Sequence, residues 1–163
     1  MELMIAISLI AIFSGLTIAS GVEQWKRERV NAMAIQLAGW LESARRSALK
    51  GTACSISISS GPVAETEIVA QTIDNADAEA VGNNNCLANT PLRVNENSSM
   101  RLSVSSSPTS TLNFTPRGSL KASATPVVIT LTLSNGPSKC VEVSGLLGII
   151  AVGSSDGTTC TTP

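Results

Sequence analysis

The chain has 163 residues with eleven basic against twelve acidic side chains, a formal net charge of −1, so its bulk charge gives no general attraction to nucleic acid or to an anionic membrane. It has no histidine and no tyrosine, and Phe13, Trp25, Trp40 and Phe114 are its only aromatic residues, which removes the commonest general base and the commonest metal ligand. The length suits a single domain of roughly 110 to 140 residues once an apolar N-terminal stem is set aside.

That stem is residues 3–22, LMIAISLIAIFSGLTIASGV, which carry no charge, and Glu2 stands immediately before them. At about 1.5 Å per residue such a helix spans roughly 30 Å, the thickness of the hydrocarbon core of a bilayer. A cleavable signal peptide calls for a basic start, a shorter apolar stretch and a small-residue cleavage site. Here an acid precedes the run and helix-forming sequence continues past it, so the segment is read as retained.

From Glu23 to Gly51 the chain is amphipathic. Met33, Leu37, Trp40, Leu41, Ala44 and Ala48 recur on one helical face, and Glu28, Gln36, Glu42, Arg45, Arg46 and Lys50 occupy the other. Glu42 and Arg46 stand four apart in the favourable acid-first order, basic residues crowd the last turn, and Gly51 is a natural stop. No proline lies between Met1 and Lys50, so stem and amphipathic half are expected to form one helix.

Beyond Thr52 the period changes to two. Strands are expected at 54–59, 101–107, 111–116, 126–134, 139–145 and 146–153, with a further one at 65–70 inside a long segment, 60–98, otherwise read as loop. The outline is α+β, a long N-terminal helix whose second half packs on an antiparallel sheet. It divides into a stem at 1–22, an amphipathic half at 23–51 and a β-rich head at 52–163.

Cys54, Cys86, Cys140 and Cys160 all lie in the head, none in a CxxC pair and with no histidine to complete a zinc site, so disulfides are favoured over a metal or free thiols. Four cysteines allow three connectivities. The sequential one, Cys54 with Cys86 and Cys140 with Cys160, is preferred because each pair closes a Gly/Asn/Ser-rich segment. Oxidised cysteines imply a compartment outside the cytoplasm.

ELMIAISLIAIF resembles the N-terminal segment of type IV pilins and type II secretion pseudopilins, with Glu2 in the place of that family's glutamate. LAGWLESARRSALKGTACSISIS (37–59) resembles the Ala-Arg helix end and first strand of the GspH/FimT branch, and LNFTPRGSL (112–120) its Phe-x-Pro-x-Gly turn. The proline that commonly kinks the family's stem is replaced by Ala19-Ser20-Gly21.

The resemblance implies a minor pilin or pseudopilin, or alternatively a major pilin. It also implies a processed, methylated N-terminus and residence in the inner membrane before assembly, then in an extracellular pilus or fimbrium or a periplasmic pseudopilus. The partners would be further copies or other pilins in a helical filament, with no small-molecule substrate and no cofactor. Assembly would run through Glu2, Leu3, Ile5, Leu9 and Phe13. A carboxylate in hydrocarbon costs at least a few kcal/mol unless paired. The partner implied by the resemblance is the N-terminal amine of a neighbouring subunit, a pair that would favour one axial register.

Some relatives bind DNA through an Arg-rich end of the last hairpin. This chain has neither arginine nor lysine after Lys139, leaving Arg117 and Lys121 as candidate DNA contacts, with Arg93 and Arg101 in uncertain places. An enzyme finds little support, because a Ser-His-Asp triad is impossible without histidine. GSSDG (153–157) reads as a turn, Asp74, Asp77 and Glu79 as a solvated loop, and the sequons at Asn97 and Asn113 as ordinary loop and strand positions.

Overall fold

Helix α1 runs unbroken from Glu2 to Ala48. At about 1.5 Å per residue it is a rod of roughly 70 Å. It ends two residues before Lys50 because the chain tightens there. The Lys50 N–H donates to Ser47 O (3.1 Å), the Gly51 N–H to Ala48 O (3.0 Å), and Gly51 adopts a φ of +106° that favours glycine. The computed structural model describes residues 2–51, 53–64, 66–73, 86–87, 90–94, 102–121, 126–134, 136–145, 147–157 and 159–162, with side chains from Gly21 onward.

The buried face of α1 consists of Val30, Met33, Ala34, Leu37, Leu41, Ala44 and Ala48, so the apolar stripe begins nearly one turn earlier than the Met33 expected. Trp40 lies at its margin, half-buried, where its indole N–H donates to Thr90 O at 2.9 Å. Glu42 accepts from Arg46 Nε at 3.2 Å and from Arg45 Nη1 at 3.3 Å.

The strands are β1 (Cys54–Ile58), β2 (Gly61–Val63), β3 (Ile68–Ile73), β4 (Leu92–Arg93), β5 (Leu102–Ser107), β6 (Thr111–Phe114), β7 (Val127–Leu133), β8 (Ser138–Ser144), β9 (Ile149–Ser155) and β10 (Cys160–Thr161). They form two sheets where one was expected, a four-stranded sheet ordered β4-β3-β1-β6 and a six-stranded sheet ordered β10-β9-β8-β7-β5-β2, with every pairing antiparallel. The chain changes sheet at Ser59-Ser60-Gly61. There a φ of +106° at Gly61 takes it away from β1 and into register with β5, Gly61 opposite Val104.

Local turns account for the other differences. The strand expected at 65–70 is displaced to β3, because residues 64–67 close a turn in which the Glu67 N–H donates to Ala64 O (3.3 Å). The last long strand starts at Ile149 instead of 146, since the Gly148 N–H donates to Gly145 O (3.1 Å) and closes the hairpin there. β2 and β4 fall in the segment read as loop, and β10 was not expected at all. Elements of two or three residues are too short for alternation to register.

The core lies between α1 and the two sheets. Val127, Ile129, Leu131 and Leu133 alternate along β7, and with Leu102, Val104, Val141 and Val143 they face the buried stripe of the helix. Ile56, Ile58, Leu112 and Phe114 close the core from the four-stranded sheet. Full burial of each such side chain contributes roughly 1.5–3 kcal/mol. Disulfides join Cys54 to Cys86, Cα atoms 5.5 Å apart, and Cys140 to Cys160, 5.9 Å apart.

Candidate functional site: the helical stem and the junction beneath it

The first half of α1 places Glu2, Leu3, Ile5, Leu9 and Phe13 on a continuous helix, with positions 5, 9 and 13 one turn apart. Their side chains lie outside the described residues, as does most of the apolar run 3–22. Among the described residues no helix is long and apolar enough to cross a membrane. Where the rod meets the head, Val22 and Trp25 are about half exposed, the Arg29 guanidinium lies 5.0 Å from the Trp25 ring centroid, and Arg27 pairs with Glu23 at 3.6 Å.

At the opposite end of the head, the two motif stretches meet. Thr115-Pro116-Arg117-Gly118 is a tight turn with proline at its second position, closed by the Gly118 N–H donating to Thr115 O (2.8 Å). Arg45 is on the flank of the buried helical stripe, so its stem crosses apolar surface while its Nε donates to Gly118 O at 3.2 Å. Gly118, at φ +72°, is packed so closely that a Cβ there would stand 2.8 Å from Leu49 Cδ2. The β8–β9 turn closes the cluster. A Cβ on Gly148, at φ +61°, would stand 2.8 Å from Gly118 O and 3.3 Å from the Phe114 ring.

Read separately, the Ala-Arg helix end and the Pro-Arg-Gly turn gave no hint of this contact. The signal available was the position of Arg45 between Ala44 and Ala48, where a charged residue borders the apolar face. Gly148 was missed as well, although two glycines three apart in GLLG mark the tight turn.

The remaining candidates disperse. Arg117 and Lys121 are exposed on the turn and just after it, and the β8–β9 turn and β9, residues 143–155, bring no arginine or lysine to join them. Arg93 donates to Thr66 O at 2.8 Å, and Arg101 lies outside the described residues. Asn113 is a strand residue whose amide oxygen accepts from Ser55 Oγ at 2.6 Å. In the GSSDG stretch Asp156 accepts from the Thr159 N–H (2.8 Å) and hydroxyl (3.0 Å), so it serves the turn between β9 and β10. Asp74, Asp77, Glu79 and Asn97 lie outside the described residues.

Among the described residues no three metal-ligating side chains converge. The groove of about 680 Å³ between α1 and the β7–β8 turn is lined by Glu23, Arg27, Glu28, Asn31 and Lys139 among others. Its lining lacks the apolar walls on which small-molecule sites are built.

A long N-terminal helix whose second half packs into a disulfide-tied antiparallel head is the pilin-like arrangement of α+β proteins. Residues 33–147 match the family described as type II transport protein GspH, and the chain belongs to that family, a GspH/FimT-like branch whose members are structural subunits and not enzymes. Among solved structures the type IV minor pilin FimU of Pseudomonas aeruginosa is similar, with 16% identity, a TM-score of 0.49, 83% of this chain covered and 94% of that one. No curated protein matches the chain.

Proposed function

We propose that the protein is a filament subunit, more specifically a minor pilin or pseudopilin. Residues 3–22 hold it in the inner membrane before assembly and pack against neighbouring stems afterwards. What supports this reading is the family match taken with one rod, Glu2–Ala48, whose buried face begins at Val30 among the described side chains. Among the described side chains ahead of Val30, those of residues 21–29, none is buried in the head. An apolar stem in that position is covered either by lipid or by other stems, and the hydrophobic effect drives the second arrangement once the stem leaves the bilayer.

Glu2 is then the register-setting group. Its carboxylate, unpaired in an apolar bundle, costs a few kcal/mol, and the N-terminal amine of an adjacent subunit relieves that cost at one axial offset only. Glu2→Ala in the full chain is expected to lower recovery in sheared filaments by about tenfold or more, equivalent to at least 1.4 kcal/mol, while the amount in the membrane fraction is unchanged. Normal incorporation of the variant would remove Glu2 from the assembly mechanism. DNA binding is the weaker reading because residues 143–155, which include the β8–β9 turn, are free of cationic side chains.

A further inference from the structure

The groove between α1 and the β7–β8 turn, about 680 Å³, lies at the end of the head where the stem enters. Glu23, Arg27, Glu28 and Asn31 stand in its helical wall, with Ser138 and Lys139 in the wall opposite. The uncharged run ends at Val22. Along the helix Glu23 is one residue beyond that end and Arg27 five, so at about 1.5 Å per residue they stand roughly 2 and 8 Å past it. The polar headgroup layer is about 5–8 Å deep on each side of a bilayer's hydrocarbon. With residues 3–22 in lipid, the helical wall of the groove therefore starts at the depth of the phospholipid headgroups. Trp25, half exposed and close to the Arg29 guanidinium, is the kind of amphipathic ring that settles at this depth.

The lining holds two cations from different elements, Arg27 and Lys139, and two carboxylates, Glu23 and Glu28. A balance of that kind does not favour a ligand with a net charge. It suits one that carries both signs close together. Glu23 holds Arg27 at 3.6 Å between largely exposed side chains, a weak pair that an incoming phosphate can share. Lys139 Nζ donates to Ser154 Oγ at 3.1 Å, and an ammonium has three hydrogens to donate. The polar walls are a handicap for a free small molecule. They are no obstacle to a lipid, whose acyl chains already hold its headgroup beside the groove at high effective concentration.

We propose that this groove is a headgroup site for a zwitterionic phospholipid with a primary ammonium, of the phosphoethanolamine type. This rests on the membrane stage of the filament reading. Arg27 and Lys139 receive the phosphodiester through charge-assisted hydrogen bonds. Glu28, one residue farther from the hydrocarbon than Arg27, accepts from the ammonium. A trimethylated ammonium has no N–H to donate, and a glycerol headgroup has no cation, which would leave Glu28 facing a net negative lipid. An occupied groove seats the β7–β8 turn on the membrane surface and so fixes how the head stands over the bilayer before assembly.

The test adds dioleoyl phospholipids to the full chain in non-ionic detergent and counts the lipid retained by native mass spectrometry. Phosphatidylethanolamine is expected to be retained at least about threefold more than phosphatidylcholine or phosphatidylglycerol. Arg27→Gln combined with Lys139→Gln should lower that retention by about fivefold or more, and Glu28→Lys should turn the preference to phosphatidylglycerol. Lys121→Gln removes an exposed cation just after the Thr115–Gly118 turn, away from the groove, and should change retention by less than about 1.5-fold. Unchanged far-ultraviolet circular dichroism of each variant checks its folding. Equal retention of the three lipids, or a loss with Lys121→Gln as large as with the groove variants, overturns the site. Binding of free O-phosphoethanolamine with comparable affinity would make a soluble compound the ligand and overturn the lipid assignment. Flotation with liposomes keeps the two readings apart: a chain that floats without lipid preference overturns the groove alone, and one that never floats overturns the membrane stage as well.

Discussion

Arg45 is the side chain through which the far end of the head is assembled. It joins the helix to the Thr115–Gly118 turn by a hydrogen bond to Gly118 O, and Glu42 neutralises it from one turn earlier. A charge-assisted bond to a carbonyl that is partly shielded contributes roughly 1.5–3 kcal/mol before solvent screening. Arg45→Ala is therefore expected to lower stability by about 1–2 kcal/mol in denaturant unfolding followed by tryptophan fluorescence. Arg46, three-quarters exposed in its own ion pair with Glu42, is the internal control: Arg46→Ala should cost about 0.5 kcal/mol or less. Gly148 belongs to the same cluster but for a steric reason. Its positive φ and the backbone oxygen 2.8 Å from any Cβ leave alanine no accommodation, whereas Gly157, at φ +98° in open space, presents the strain alone. Gly148→Ala should accordingly be more damaging than Gly157→Ala by about 1 kcal/mol or more in the same assay.

At the level of elements, stability is concentrated where long alternation and disulfide closure coincide. Cys140 lies on the outer face of β8 yet is fully buried, because Cys160 and β10 fold across Gly153 to reach it. Gly153 is the place where that crossing fits. A Cβ there would stand 2.9 Å from the Thr161 carbonyl carbon and 3.1 Å from Cys140 Sγ. Replacing both Cys140 and Cys160 by serine removes a cross-link between residues 20 apart and is expected to lower stability by about 3 kcal/mol in the chain-entropy model, read from the shift in unfolding midpoint at constant slope. The elements that the sequence made legible are those with several repeats of one period, namely α1 from Met33 onward, β1, β5, β7 and β8. Each of these shows its buried face as a residue pattern. The division into two sheets was not legible because it depends on a single backbone rotation at Gly61, and β10 was not because two residues hold no period. The Arg45–Gly118 contact joins positions 73 apart, and no local pattern encodes a meeting of that kind.

For the whole molecule the decisive feature is a mismatch of lengths. Among the described side chains of α1, the head buries residues only between Val30 and Ala48 and none of residues 21–29. Within the seven residues from Glu23 to Arg29, Glu23 pairs with Arg27 and Arg29 stacks on the Trp25 ring, both contacts within the helix itself. Surface interactions of this type are worth about 1 kcal/mol or less each. Folding of the head is thus expected to be independent of the stem. A chain starting at Glu23 should be monomeric in water, keep both disulfides, and unfold within about 1 kcal/mol of the full chain in detergent, since it retains every residue of the buried cluster among the described residues. Sedimentation with denaturant titration measures both properties. A loss above about 2 kcal/mol would mean that the stem stabilises the head through contacts beyond Val30, and association and folding would then share one surface instead of two.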